Sequence, residues 1–323
     1  MPSTKPIFIA TRGSALALAQ ANTVLGLCQT AFPELGFALR IIKTTGDKLQ
    51  TASLASSELP KGLFTKEIED ALLRGEADLA VHSLKDLPTE LPSGLTLGAV
   101  LPRADVRDVV IHKVFAPAAG PETGLPILPL GATVASSSTR RKAQLHHLRP
   151  DLNIVPIRGN VGTRLRKLTE QPELAATILA AAGLKRLGFE LRADGRLIGP
   201  PATPVPDGVL ARPMEPEEML PCVGQAAIGI EVRQHDARTS AVCQALNHAE
   251  TLHCVTAERA FLTGMGGGCQ LAVAAYAKLD AGQLWMRGIS FLGEAPVRSE
   301  TRGAATEAEA LGRQLAVSLS QKR

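Results

Sequence analysis

The stretch Leu79-Ala80-Val81-His82-Ser83-Leu84-Lys85-Asp86-Leu87-Pro88 begins as an apolar run the length of a buried parallel strand. It turns polar at His82, and Pro88 stops any regular element from continuing. In α/β folds ligands bind beyond the carboxyl ends of the strands, which gives Ser83, Lys85 and Asp86 an active-site address. A carboxylate in that place can carry protons or stabilise a cation, so Asp86 is the candidate catalytic group. Its competing role is a turn cap ahead of Pro88.

Arginines stand at the ends of the other strand-like runs. Arg12 follows Ile7–Ala10, and Arg140-Arg141 follow Ala132–Ala135. Between that second run and its helix lie Ser136, Ser137, Ser138 and Thr139, whose hydroxyls and free N–H groups at a helix start form an anion cradle. Arg158 leaves Asn153–Ile157, Arg164 lies in the next helix, and Arg186 follows Thr177–Ala180. A guanidinium grips a carboxylate bidentately, which an ammonium cannot do. Several of them on one cleft imply a ligand with several carboxylates. Near the other end, Gly264-Met265-Gly266-Gly267-Gly268-Cys269-Gln270 sets one thiol behind three consecutive glycines. That arrangement suits a covalent attachment point, although a buried Cys after a helix-ending turn fits the same residues.

The elements that must position these groups alternate. A strand at Ile7–Ala10 leads to a helix at Ala15–Ala31, a strand at Phe37–Lys43, a polar loop over Thr44–Lys61 and a helix at Leu63–Arg74. The strand at Leu79 follows, and Leu95–Leu101 continues the sheet. The charged crossing Pro102–Asp108 reads as a domain boundary, after which a second α/β pattern runs to Leu187. Arg192–Pro216 holds six prolines between Pro200 and Pro216, has no period, and reads as an inserted surface loop. Leu220–Glu231 reads as a loop and strand returning to the first domain. Helices follow at Asp236–Leu246 and His248–Thr263, the latter with Glu258-Arg259 facing outward. Three alternating strands and a closing helix from Ala305 make a small α+β unit.

The composition narrows the classes. The 323 residues suit two or three domains, and 45% apolar with 20% charged residues is that of a soluble globular chain. Aromatics at 3% and a net charge of +4 argue against nucleic-acid binding by stacking or by a basic tail. No apolar run approaches a membrane span, and the N-terminus lacks a signal-peptide shape, so a cytoplasmic protein is expected. Five Cys without a Cys-x-x-Cys make disulfides and structural zinc poor expectations, and no metal motif is present. The residues alone leave open an enzyme or a two-lobed receptor for a small anion.

With these residues in hand, the chain resembles the porphobilinogen deaminase (hydroxymethylbilane synthase) family. The matching blocks are Ala10–Ser14, Lys61–Glu67, Ala80–Pro88, Ser137–Arg141, Arg158–Leu165, Ala182–Gly188, Val223–Gln225, Asn247-His248 and Gly267–Gln270. The resemblance implies two periplasmic-binding-protein-like α/β domains plus a small C-terminal α+β domain. The corresponding division is 1–103 with 219–238, 104–218 with the Pro-rich insertion at about 192–216, and 239–323. It implies a dipyrromethane cofactor on Cys269 through a thioether, held by Ser83, Lys85, Ser137, Ser138, Arg140 and Arg141. Arg12, Arg158, Arg164, Arg186, Lys61 and Phe64 would bind substrate. Four porphobilinogen molecules would lose ammonia and join head to tail on that primer, with Asp86 steadying the cation formed, before water releases hydroxymethylbilane. The growing oligopyrrole would be the only partner of a monomer, with no nucleic acid and no membrane. Ala15 stands where the family pattern has Pro, Ala226 where it has Gly, and Ser57 where many members carry a loop Lys.

Overall fold

In the computed structural model, which describes residues 5–49, 64–115, 125–268 and 270–321, strand β1 (Ile7–Thr11) turns directly into helix α1 (Ala15–Ala31). Ser14 caps the helix by accepting the Ala17 N–H at 3.3 Å, and Gln20, Ala21, Val24 and Cys28 form its buried stripe. There follow β2 (Phe37–Ile41), the short α2 (Thr45–Leu49), α3 (Lys66–Leu73), β3 (Leu79–Ser83) and β4 (Leu95–Val100). A crossing leads to β5 (Asp108–Lys113), β6 (Thr133–Ala135), α4 (Thr139–Leu148), β7 (Asn153–Val155), α5 (Val161–Glu170), β8 (Leu174–Ala180) and α6 (Ala181–Arg186). The hairpin β9 (Glu190–Leu191) and β10 (Leu197–Ile198) precedes β11 (Val209–Met214). The chain then crosses back to β12 (Ile228–Arg233) and α7 (Ala237–Leu246). It ends in α8 (Ala249–Gly264), β13 (Val273–Asp280), β14 (Gln283–Ser290), β15 (Val297–Ala304) and α9 (Ala308–Ser320).

Besides the β9-β10 hairpin, these strands form two mixed sheets and one three-stranded antiparallel sheet. In the first, ordered β2-β1-β3-β12-β4, β1 is parallel to both β2 and β3, and β12 lies antiparallel between β3 and β4. The late strand therefore completes the early sheet, as the return at Leu220–Glu231 anticipated. In the second, ordered β11-β5-β8-β6-β7, β6 runs parallel to β7 and β8, while β5 is antiparallel to β8 and β11. The third is the meander β13-β14-β15, whose inner residues Ala275, Ala277, Leu284 and Met286 pack with Phe261 of α8 and Leu311 and Leu315 of α9. Two α/β sheets followed by a small α+β unit is the expected fold class.

Three expectations change. The Pro-rich stretch is not a plain loop: Val209–Met214 is the edge strand of the second sheet, paired with β5, and Leu197, Val209 and Ala211 are buried in its core. Pro213 fits because an edge strand has a side on which the missing N–H costs no ladder bond. The loop beginning at Thr44 opens with the helical turn α2. Finally, Glu258 and Arg259 do not face outward. Helix α8 is covered by the third sheet on one side and by the first unit on the other, and Glu258 is fully buried.

Ala226, where the family pattern has Gly, sits at φ +71° and is buried. The left-handed conformation costs an alanine about 1–2 kcal/mol. Glycine would recover that, but it would lose a buried methyl worth about 0.8 kcal/mol and about 0.5–1 kcal/mol of backbone entropy. Ala226→Gly should therefore leave the denaturation midpoint almost unchanged. Ala226→Val, β-branched at positive φ in a packed cluster with Val106 and Ala182, should lower stability by more than about 2 kcal/mol. Equal midpoints for wild type and Ala226→Val would refute the strain argument.

Candidate active site

The β3 strand ends at Ser83 and tightens at once into a 3-10 turn over Leu84–Asp86. Leu84 and Leu87 are pulled into a core with Val100, Ala227 and Val255, so Asp86 between them is turned out to solvent. Gly224 backs this turn. A Cβ on it would lie 3.2 Å from the Leu84 carbonyl carbon and the Lys85 nitrogen, at φ +70°, so only glycine lets the 223–225 loop lie so close. Beside the turn is a small open cleft lined by Arg12, Gln20, Phe64, His82, Ser83 and Asp86 among others. Under its floor His82 Nε2 meets Glu231 Oε2 at 3.0 Å, both side chains buried.

Arg12 leaves β1 into this cleft. Asp47 meets it there, with an Nη2–Oδ1 distance of 2.5 Å and an Nε–Oδ1 distance of 3.1 Å, and the guanidinium lies 4.2 Å from the Phe64 ring centroid. Partial burial alone would raise the Asp47 pKa, but the hydrogen bonds from Arg12 and Thr44 hold it below the usual carboxylate range. A ligand carboxylate on Arg12 has to displace Asp47 or share the guanidinium with it.

The second sheet supplies the other cations. Ser138 caps α4 by accepting the Arg141 N–H at 3.4 Å, and Ser137 Oγ donates to Ile157 O at 2.7 Å. Both serines thus hold the loop in shape. Arg140 and Arg141 are buried rather than displayed, and share one fully buried carboxylate: Arg140 Nη2–Asp108 Oδ2 and Arg141 Nη2–Asp108 Oδ1 are both 2.7 Å. Their other Nη groups donate to Leu220 O and Ile178 O, while both Nε atoms are buried without a partner among the described residues. Arg164 Nε donates to Gly159 O, and Arg186 Nη2 to Ala226 O. Among the described residues no carboxylate pairs with Arg158, Arg164 or Arg186. Burial, reinforced by nearby Arg141, pushes the Arg164 pKa down, and burial pushes Arg186 down to about 10. Half-buried guanidiniums that lack a counter-ion are sites prepared for an anion. Arg158 is exposed.

Gly266, Gly267 and Gly268 all take positive φ. A Cβ on Gly267 would lie 3.8 Å from Thr89 Oγ1, just beyond the Asp86 turn, and Thr139 Oγ1 at the start of α4 donates to Gln270 O at 2.9 Å. The residues on either side of position 269 are therefore held between the first and second sheets. Cys269 and Lys61 themselves lie outside the described residues. Elsewhere burial pushes the thiols of Cys28, Cys243 and Cys254 up to about 11, which leaves them protonated and unreactive at neutral pH.

The structure thus brings Asp86, Ser83, Arg12 and Phe64 to one cleft. It puts Ser137, Ser138, Arg140, Arg141, Arg158 and Arg164 in the loops and first helical turns that follow strands of the second sheet, and Arg186 at the end of α6. Lys85 is half-buried beside Asp86. Sequence reasoning missed Gln20, which accepts Ser83 Oγ at 3.0 Å and buries Nε2 without a partner. Its signal was one amide on the apolar stripe of α1. It also missed Asp108, whose contact with two arginines far along the chain leaves no local trace.

Comparison with known proteins follows the same lines. Residues 7–241 match the family profile "porphobilinogen deaminase, dipyromethane cofactor binding domain", and residues 252–321 match "porphobilinogen deaminase, C-terminal domain". The porphobilinogen deaminase of Syntrophomonas wolfei is 44% identical over 317 residues, covering 97% of this chain and 95% of that protein. That of Paracoccus denitrificans is 45% identical over 318 residues, covering 97% and 93%. Among solved structures, the BenM effector binding domain with benzoate aligns at a TM-score of 0.41 and 15% identity, over 75% of this chain and 90% of that one. That likeness is too slight to bear on function.

Proposed function

Because the chain belongs to the porphobilinogen deaminase family, we propose that porphobilinogen loses ammonia in the cleft beside Asp86 and that Cys269 carries the dipyrromethane cofactor. The protein condenses porphobilinogen on a dipyrromethane primer, in the route to tetrapyrroles. Its finer classification, in this reading, is a transferase that joins four units head to tail and releases hydroxymethylbilane by hydrolysis.

One observation supports the reading most: Arg158, Arg164 and Arg186, which follow strands of the second sheet, have no counter-ion among the described residues, and Arg140 and Arg141 share a single carboxylate, Asp108. The Nε atoms of Arg140 and Arg141 are unpartnered, and no described carboxylate pairs with Arg158, Arg164 or Arg186. Acetate and propionate groups on pyrroles are the ligand chemistry such a set fits, so the residues present suit the cofactor. When bound, the dipyrromethane supplies the pyrrole carbon on which condensation starts. Arg140, Arg141, Ser137, Ser138, Ser83 and Lys85 would hold it. Arg12, Phe64, Arg158, Arg164, Arg186 and Lys61 would take the incoming carboxylates. Loss of ammonia from porphobilinogen leaves a cation, and the exposed Asp86 carboxylate stabilises it and carries the proton released when the new bond forms. Asp47 would act as an internal stand-in for a substrate carboxylate on Arg12, leaving as substrate enters.

We divide the chain at the two crossings, 1–103 with 219–238 and 104–218, with 239–323 as the third unit. Helix α7 buries Val242, Cys243 and Leu246 in the first core, which supports counting α7 with the first unit and beginning the third nearer residue 247 than 239. We place the protein in the cytoplasm as a monomer; among the described residues no helix is long and apolar enough to cross a membrane. Sedimentation of the purified protein tests the monomer.

The decisive experiment is the intact mass of the purified protein beside that of Cys269→Ala. Wild type should carry a mass excess equal to two linked pyrrole units, absent from the variant. An unmodified wild type that gains no adduct even after incubation with hydroxymethylbilane would refute the attachment. It would favour a receptor that only binds carboxylates.

A further inference from the structure

Two consecutive residues of α8 grip the turn that carries Asp86. Glu258 accepts the Gly224 N–H at 2.8 Å, and Gly224 is the residue pressed against Leu84 and Lys85. Arg259 reaches the other side. Its Nη1 donates to Leu87 O at 3.2 Å, and its Nη2 to Pro88 O at 2.7 Å and Thr89 O at 3.2 Å. Three consecutive carbonyls converge on one guanidinium only while that segment keeps a single conformation. Pro88 has no N–H with which to fix itself, so the acceptors are the only backbone hydrogen-bonding groups it can use.

Arg259 has no carboxylate partner among the described residues. Burial pushes its pKa down to about 10, an effect that the charge of Glu231 only partly opposes. A half-buried cation without a counter-ion is an expensive way to tie down a turn, and an apolar side chain in that place would avoid the desolvation. What the guanidinium adds is direction, since its rigid fork fixes where the carbonyls lie. The same helix runs at its C-terminus into Gly266–Gly268, where Gly267 approaches Thr89. The Asp86 turn and the loop leading to position 269 are thus referenced to one helix.

We propose that Arg259 is a positioning residue for the condensation: by holding the Leu87, Pro88 and Thr89 carbonyls it fixes the Asp86 carboxylate relative to the glycine loop. The proposal rests on the role assigned to Asp86 above. It is distinct from a strap that merely joins two units, because a strap would affect melting and leave the chemical step alone.

The test is a double-mutant cycle on the cofactor-loaded protein with Asp86→Asn, Arg259→Gln and both together, with Arg259→Lys alongside. Arg259→Gln should keep the covalent cofactor by intact mass and keep KM for porphobilinogen within about twofold. Its kcat should fall by about ten- to a hundredfold, the range expected of a displaced catalytic group. Arg259→Lys should recover part of the loss, because an ammonium is a cation without the fork. The double variant should be no slower than Asp86→Asn alone, since nothing remains to be positioned. Additive losses in the cycle, an unchanged kcat, or a rise in KM with kcat intact would overturn the proposal. If Arg259→Gln does not fold, the same cycle run with Arg259→Lys decides it. A fully active Asp86→Asn would overturn the Asp86 assignment and this proposal with it. An inactive Asp86→Asn with an additive cycle would overturn this proposal alone.

Discussion

Asp86→Asn should lose activity by about 10²–10⁴-fold while folding normally and keeping its covalent cofactor. Folding should survive because Asp86 is exposed and the turn around it is held by other groups: Leu84 and Leu87 in the core, Gly224 behind, and Arg259 at the exit. The amide is the same size as the carboxylate but cannot oppose a developing positive charge or accept a proton near neutral pH. The loss should therefore appear in kcat, with KM changed little, if arginines elsewhere hold the substrate carboxylates as proposed above. Steady-state consumption of porphobilinogen, with intact mass as the check on cofactor loading, measures this. A variant within threefold of wild type would remove Asp86 from the chemistry.

Asp108→Asn should be among the most destabilising single changes in the chain. Its carboxylate is fully buried and takes one 2.7 Å contact from each of Arg140 and Arg141, and Gln225 Nε2 donates to it at 3.1 Å. Burial alone would raise the pKa of this group; the two guanidiniums outweigh that and hold it far below the usual carboxylate range. Removing the charge leaves two buried cations uncompensated, a loss of about 3–5 kcal/mol. The direction of the shift also sets a pH dependence. A carboxyl depressed on folding contributes stability that is present above its unfolded value of about 4 and fades as the pH falls below it. The gap in urea midpoint between wild type and Asp108→Asn should therefore hold steady above about pH 5, narrow as the pH falls below about 4, and close only as the pH falls through the depressed folded value. Parallel curves would show that Asp108 does not contribute through its charge.

How much of this was legible in the sequence depends on how local its cause is. Helix α1 was read to the residue, because Ser14 supplies a cap and an apolar stripe follows without a break. The strands of the third unit were read nearly as well, because one face of that sheet is wet and the alternation survives. β11 was hidden by its prolines, which an edge strand tolerates and a central one does not. Arg140 and Arg141 do lie at a helix start, as the sequence indicated, but their shared partner Asp108 comes from another strand. Glu258 and Arg259 were read as solvent-facing because a charged pair on a helix usually marks its wet side. On α8 there is no such side, so the only clue was that two charges interrupt a helix otherwise rich in small and apolar residues.

The insertion of β12 between β3 and β4 also bears on how the protein is made. Until Ile228–Arg233 have left the ribosome, β3 lacks one neighbour and β4 has none, so their inner edges stay unpaired while the whole second unit is synthesised. At about 5–20 residues per second that wait is on the order of ten seconds, long against the time a small domain needs to fold. The second unit, contiguous in the chain, can close its sheet during that interval. The first cannot, and its long-range pairing makes it the slow and aggregation-exposed part of the nascent protein.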